Sequence, residues 1–152
     1  MTEEKEMDGL ELARRCGQRM FDDDLASREL GVVVEITAPG RAEAEFEVRA
    51  NMVNGHDICH GGYIFTLADS AFAFACNTYD DITVAAAASI EFLRPAKLGD
   101  RLRAVASEQH RGRRNGIYDV VVTNQDGATV ALFRGRSHST GEPFLPPSPE
   151  EK

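Results

Sequence analysis

Residues 60–77 read HGGYIFTLADSAFAFACN, and the rest of the chain is organised by them. From Gly61 onward the run is rich in alanine and in large apolar residues, which predicts a helix over 61–77. It is apolar nearly all round, and such a helix is buried on most sides. It is also shorter than the ~20 residues that a membrane span needs, so the chain itself has to wrap it. Residues 82–94, 101–111, 115–124 and 128–138 read as strands. Asn115-Gly116 and Asp126-Gly127 are tight-turn signals, and 95–100 (PAKLGD) is a further turn, so the second half reads as an antiparallel meander. Upstream, 30–37 (LGVVVEIT) and 42–48 (AEAEFEV) read as strands around a Pro39-Gly40 turn. The second alternates small or apolar residues with Glu43, Glu45 and Glu47, so one of its faces is wet. Residues 8–23 carry Leu10, Leu12, Ala13, Cys16, Met20 and Phe21 at near-helical spacing. The expected architecture is α+β: a curved antiparallel sheet wrapped around one long central helix.

The 152 residues, 42% of them hydrophobic, suit one domain with a core of its own. The domain is expected over 8–138, after a frayed polar segment at 1–7 and before a loose, proline-rich tail at 139–152. The acidic start, MTEEKEMDGL, resembles neither a signal nor a transit peptide, which points to the cytoplasm. Three scattered cysteines (Cys16, Cys59, Cys76) make a poor disulfide framework and fit a reducing compartment. A net charge of -8 argues against general nucleic-acid binding. That charge is uneven: residues 92–138 hold nine Lys or Arg against four acids. A basic second half on an acidic protein points to a local anionic ligand.

Asp69 is the anomaly of the central helix, a carboxylate among Ile, Phe, Leu and Ala. Desolvation there disfavours the charged form, which suits a base or nucleophile with a raised pKa; the plainer alternative is a buried Asp satisfied by neighbours. Thr66 and Ser70 share its polar stripe. His60, Gly61 and Gly62 open the helix. The glycines let a ligand approach the backbone, and free N–H groups at a helix start suit a developing oxyanion; a bare loop-to-helix junction is the alternative. Gly61 and Asp69 lie about 12 Å apart along the helix axis, too far to act on one carbonyl. Two antiparallel copies could bring Gly61 of one to Asp69 of the other, an active site shared across a two-fold dimer. In the loop before the helix, Asn54 could hold substrate or water, while His56 and Asp57 read as turn residues. His56, Cys59 and His60 make an incomplete metal set, and Cys59 with the adjacent His60 a poorly placed nucleophile–base pair. Arg94, Lys97, Arg111, Arg113 and Arg114 flank strand ends. As a group they read as candidates for the phosphates of a nucleotide tail, each singly also as edge protection.

The stretch NGHDICHGGYIFTLADSAFAFACN, followed by SIEFLRPAKLGD and ALFRGRSH, resembles the PaaI-type thioesterases of the hotdog superfamily across residues 51–138. The resemblance implies hydrolysis of acyl-CoA thioesters, with phenylacetyl-CoA or hydroxyphenylacetyl-CoA as the expected substrates. It implies Asp69 as the catalytic carboxylate, Asn54 as a residue holding nucleophile or substrate, and the Gly61 N–H as the group polarising the thioester carbonyl. His60 and Gly62 shape that turn, and Ser70 binds near the carboxylate. No metal or cofactor is implied, and the assembly is expected to be edge-to-edge dimers forming a homotetramer. Nucleophilic and general-base roles for Asp69 are equally compatible. The rivals are a hotdog dehydratase, which wants a His and an acid, and an acyl-CoA binding or sensing module without turnover. The acyl pocket is expected to be lined from the helix and the facing chain, by Tyr63, Phe65, Phe72 or Phe74.

Overall fold

The computed structural model describes residues 2–146, with side chains from Gly9 onward. Helix α1 (Thr2–Asp22) and the short helix α2 (Leu25–Glu29) come first. Strands β1 (Val33–Ala38) and β2 (Arg41–Glu47) and a single 3-10 turn (Ala50–Met52) lead into the central helix α3 (Gly61–Cys76). Four strands follow: β3 (Thr83–Phe92), β4 (Arg101–Arg111), β5 (Asn115–Thr123) and β6 (Thr129–Ser139). All pair antiparallel in one sheet of order β1-β2-β4-β5-β6-β3.

The sheet's inner face explains how it holds α3. Ala42, Ala44 and Phe46 of β2, Leu102, Ala104 and Ala106 of β4, and Tyr118, Val120 and Val122 of β5 are buried, at every second position. Ile64, Leu67, Ala68, Ala71, Phe72 and Phe74 of α3 meet them. Alanines on β2 and β4 let the helix settle low on the middle of the sheet. On β6, Gly135 serves the same end: a Cβ there would stand 2.7 Å from the Phe72 ring. The expected α+β layout, a curved sheet around one long helix, is the layout found.

The meander needs correction. β4, β5 and β6 are sequential neighbours, but β3 lies at the far edge beside β6 and β2 takes the place next to β4. Residues 93–100 are therefore a crossing and not a hairpin turn. Backbone bonds string it across the molecule, from Leu93 N–H to Val130, from Cys59 N–H to the Ala96 carbonyl, and between Gly99 and Val48. Charge favours the observed neighbour: Glu45 and Glu43 of β2 face Arg101 and Arg103 of β4 and form ion pairs. A second correction concerns Asn115-Gly116, which opens β5 and forms no turn of its own. The turn is Gly112–Arg114, closed by Gly112 N–H to the Asn115 carbonyl (2.8 Å). Gly116 is required by packing, since a Cβ there would lie 2.8 Å from the Ser137 hydroxyl.

The ends differ from expectation as well. α1 starts at Thr2 and not near residue 8. The first part of the tail is tied down by two carboxylates in the loop after α3. Asp80 accepts from the N–H groups of Phe144 and Leu145 (2.9 Å each), and Asp81 from that of Gly141 (2.9 Å). Residues 147–152 lie outside the described part. No helix among the described residues is long and apolar enough to cross a membrane.

Candidate active site

The loop before α3 presents its residues by consuming some hydrogen-bonding groups and sparing others. Asn54 Oδ1 accepts from His56 N–H (2.9 Å) and Ile58 N–H (3.4 Å), an Asx turn that fixes the side chain. Its amide N–H groups have no protein partner among the described residues, so they stay free for a ligand. Asp57, at φ 60, completes the turn, and His56 is exposed, as ordinary turn residues would be. His60 caps α3: its Nδ1 accepts from Gly62 N–H at 2.9 Å. Gly62 is thereby satisfied, and Gly61 N–H is left as the open donor at the positive end of the helix. The Gly61 Cα faces the Phe92 ring, which a Cβ there would approach to 3.0 Å.

Asp69 lies two turns further along α3. Burial raises its carboxyl pKa above the ordinary value, and no protein hydrogen bond reaches it among the described residues. Thr66 turns away from it, donating to the Gly62 carbonyl (2.8 Å). Ser70 points toward α2, its Oγ 3.5 Å from the Ser27 Oγ, which in turn donates to Asp24 (2.6 Å). Asn54 and Gly61 thus share one opening, while Asp69 stands apart from it on the same helix.

A family model of the thioesterase superfamily matches residues 56–131. The acyl-coenzyme A thioesterase PaaI of Escherichia coli is 46% identical over 122 residues, covering 80% of this chain and 87% of that protein. This chain is a PaaI-type member of the thioesterase superfamily. The solved E. coli PaaI structure, from the phenylacetic acid degradation operon, superposes with a TM-score of 0.86 at 42% identity, covering 88% of this chain and 97% of that one. A Streptococcus mutans structure solved bound to acetyl CoA matches with a TM-score of 0.70 at 31% identity, over 74% of this chain and 90% of that one.

Within this thioesterase, a largely apolar pocket of about 500 Å³ opens beside Gly61. Asn54, Ile58, Ile64, Phe92, Leu93 and Arg94 line it. Two of the four candidate lining aromatics are excluded. Phe72 and Phe74 are fully buried, the first against Tyr118 and Phe133, the second against Phe21, because their positions on α3 face the sheet and α1. Phe65 is half-buried against Phe133, and Tyr63 sits edge-on to His60. The sequence signal that could have found Phe92 and Leu93 is an apolar pair at the end of β3, shortly before Pro95 and after the alanine run 85–88. Cys59 also lines the pocket, but burial pushes its thiol up to about 11, so it stays protonated and unreactive.

The basic residues fall into two groups. Arg94 lines the Gly61 pocket and Lys97 lies exposed in the turn just beyond. Arg111, Arg113 and Arg114 form the β4–β5 hairpin at the other end of α3, around a small polar cavity that also touches Cys76 and Ser137. Arg101, Arg103 and Arg134 are neutralised by Glu45, Glu43 and Asp119. The two groups at the strand ends form no ion pair among the described residues.

Proposed function

We propose that the chain hydrolyses acyl-CoA thioesters, phenylacetyl-CoA or hydroxyphenylacetyl-CoA foremost, to the free acid and coenzyme A. The observation that carries this is the division of labour at the helix start: His60 takes the Gly62 N–H and leaves the Gly61 N–H open beside an apolar pocket. The thioester carbonyl oxygen accepts from Gly61, and charge developing on it is met by a fixed dipole. The Asn54 amide holds the attacking water. The thiolate of coenzyme A is a good leaving group, so the chemistry needs no metal or cofactor.

Asp69 supplies the base. It acts from a second copy of the chain, because one helix cannot bring it to its own Gly61. The edge of β3 supports that pairing. Val84–Ser89 are exposed, and Thr83–Ile90 contain no charge, so the edge lacks the usual protection against a second strand. An antiparallel two-fold there sets Gly61 of one protomer against Asp69 of the other. It also carries the Arg111–Arg114 hairpin of one toward the Arg94 pocket of the other, so both basic groups reach the phosphates of one CoA tail. Two routes share this geometry: attack by Asp69 itself, giving a mixed anhydride, and removal of a proton from water. The raised basicity of Asp69 serves either route. Two such dimers join as a tetramer through the convex sheet face, where Val121 and Leu132 are neighbours in register and exposed. Three unpaired cysteines fit the cytoplasm as its compartment.

Thiol release from phenylacetyl-CoA, its ring-hydroxylated forms and a short aliphatic acyl-CoA tests the reading. Turnover of the aryl substrates ahead of the aliphatic one is expected. Binding of CoA with no thiol released from any of them would overturn it.

A further inference from the structure

Arg111 differs from its neighbours in how it is held. Its guanidinium carbon lies 3.7 Å from the centroid of the Tyr79 ring. Tyr79, half-buried in the loop after α3, is itself anchored, its hydroxyl donating to Glu108 Oε1 at 2.8 Å. The buried Tyr118 donates to the same oxygen at 3.0 Å. Gly40 closes the back of this cluster: at φ +75, a Cβ there would stand 2.9 Å from the Tyr79 hydroxyl. The tyrosine therefore has one place to be, and so has the arginine stacked on it. Burial, with Glu108 adding to it, pushes the Tyr79 hydroxyl up to about 12, so it remains a donor.

The manner of holding matters. A carboxylate that gripped Arg111 would fix it and also neutralise it. Glu108 instead spends its oxygen on two tyrosine hydroxyls and forms no ion pair with Arg111. A ring holds a guanidinium by its face and leaves the edge donors free. Beside it, Ser137 is 4% exposed and has no protein partner for its hydroxyl among the described residues, while lining the same cavity as Arg111, Arg113 and Arg114. The edge of a fixed, unneutralised guanidinium beside a hydroxyl with no protein partner suits a phosphate group.

We propose that Tyr79, anchored by Glu108, is a positioning residue that presets Arg111 for the phosphates of the CoA tail. The proposal rests on the acyl-CoA reading above and assigns a role to residues outside the reacting atoms. An arginine free to rotate would lose rotamer freedom on binding, and one already stacked has little left to lose.

The test is calorimetric binding of CoA and of pantetheine, which lacks every phosphate, to the native protein, Tyr79→Leu and Tyr79→Phe, with acyl-CoA kinetics alongside. Tyr79→Leu is expected to weaken CoA by about tenfold and to leave pantetheine unchanged, raising KM for acyl-CoA at constant kcat. Tyr79→Phe keeps the ring and loses only the anchor. It is expected to weaken CoA by about threefold, and it carries the test if the leucine variant fails to fold. Unchanged CoA affinity in the folded variants, or equal losses for both ligands, would overturn the proposal. If the native protein binds CoA no more tightly than pantetheine, the phosphate reading of the basic groups fails first and this proposal with it. That outcome is visible before any variant is made.

Discussion

Burial holds the Asp69 carboxyl above its ordinary range, with opposite consequences for activity and stability. The base proposed at Asp69 works only when ionised, so kcat/KM should rise with pH through the raised pKa and level off above it, as a pH–rate profile would read. For stability the sign reverses. Between the unfolded and folded pKa values the native state binds more protons, so the Asp69 contribution falls as pH rises through that window and stays low above it. Asp69→Asn should therefore lose about a hundred- to ten-thousandfold in kcat while its Tm at neutral pH rises above native. In acid, below both pKa values, the gain in Tm should vanish. A second variant isolates the open N–H. His60 sits at φ -59, ψ 131, the conformation a residue takes before proline, and proline is favoured at the first helical position. Gly61→Pro should fold, displacing only the exposed Phe92 ring, and lose about a hundred- to a thousandfold in kcat through the missing donor. Asp69 was legible in the sequence because a carboxylate stands out in an apolar helix. Phe92 carried only the weaker signal of an apolar strand end, and an aromatic there reads the same whether it faces core, solvent or pocket.

At the level of elements, the central helix and the six strands could be read from periodicity and glycine signals to within a few residues. The order of strands could not. Local turn signals favour pairing between neighbours in sequence, whereas the place of β3 is set by cross-strand ion pairs on β2 and β4 and by backbone bonds along 93–100, all of them long-range. The short helix α2 and the 3-10 turn were equally hidden, being five and three residues long and too short to show a period. The clasp of Asp80 and Asp81 on residues 141–145 could not be read either, because it depends on where β6 ends in space. The tight packing of Phe72 over Gly135 gives a prediction at this scale. Gly135→Ala would push a methyl group into the Phe72 ring, so it should cost about 1–3 kcal/mol by overpacking. Urea unfolding would show it as a lower midpoint with an unchanged slope.

At the level of the whole molecule, a single chain has Gly61 and Asn54 at one opening and Asp69 two turns away, so the proposed site is incomplete within it. In the proposed dimer, completion depends on the β3 edge. A lysine at the exposed Ala87 is a recognised block to edge pairing. Ala87→Lys should therefore sediment as a folded monomer with thioesterase activity near zero. The most direct measurement is complementation between two inactive chains. Gly61→Pro and Asp69→Asn would be denatured together, refolded as a mixture and assayed for thiol release from phenylacetyl-CoA. In the mixed dimer one site regains an intact Gly61 from one chain and an intact Asp69 from the other, and the second site carries both lesions. Random mixing should restore roughly a quarter of native activity, one of two sites in half of the dimers. A mixture that forms dimers yet stays as inactive as its parents would contradict an active site shared between Gly61 of one chain and Asp69 of its partner.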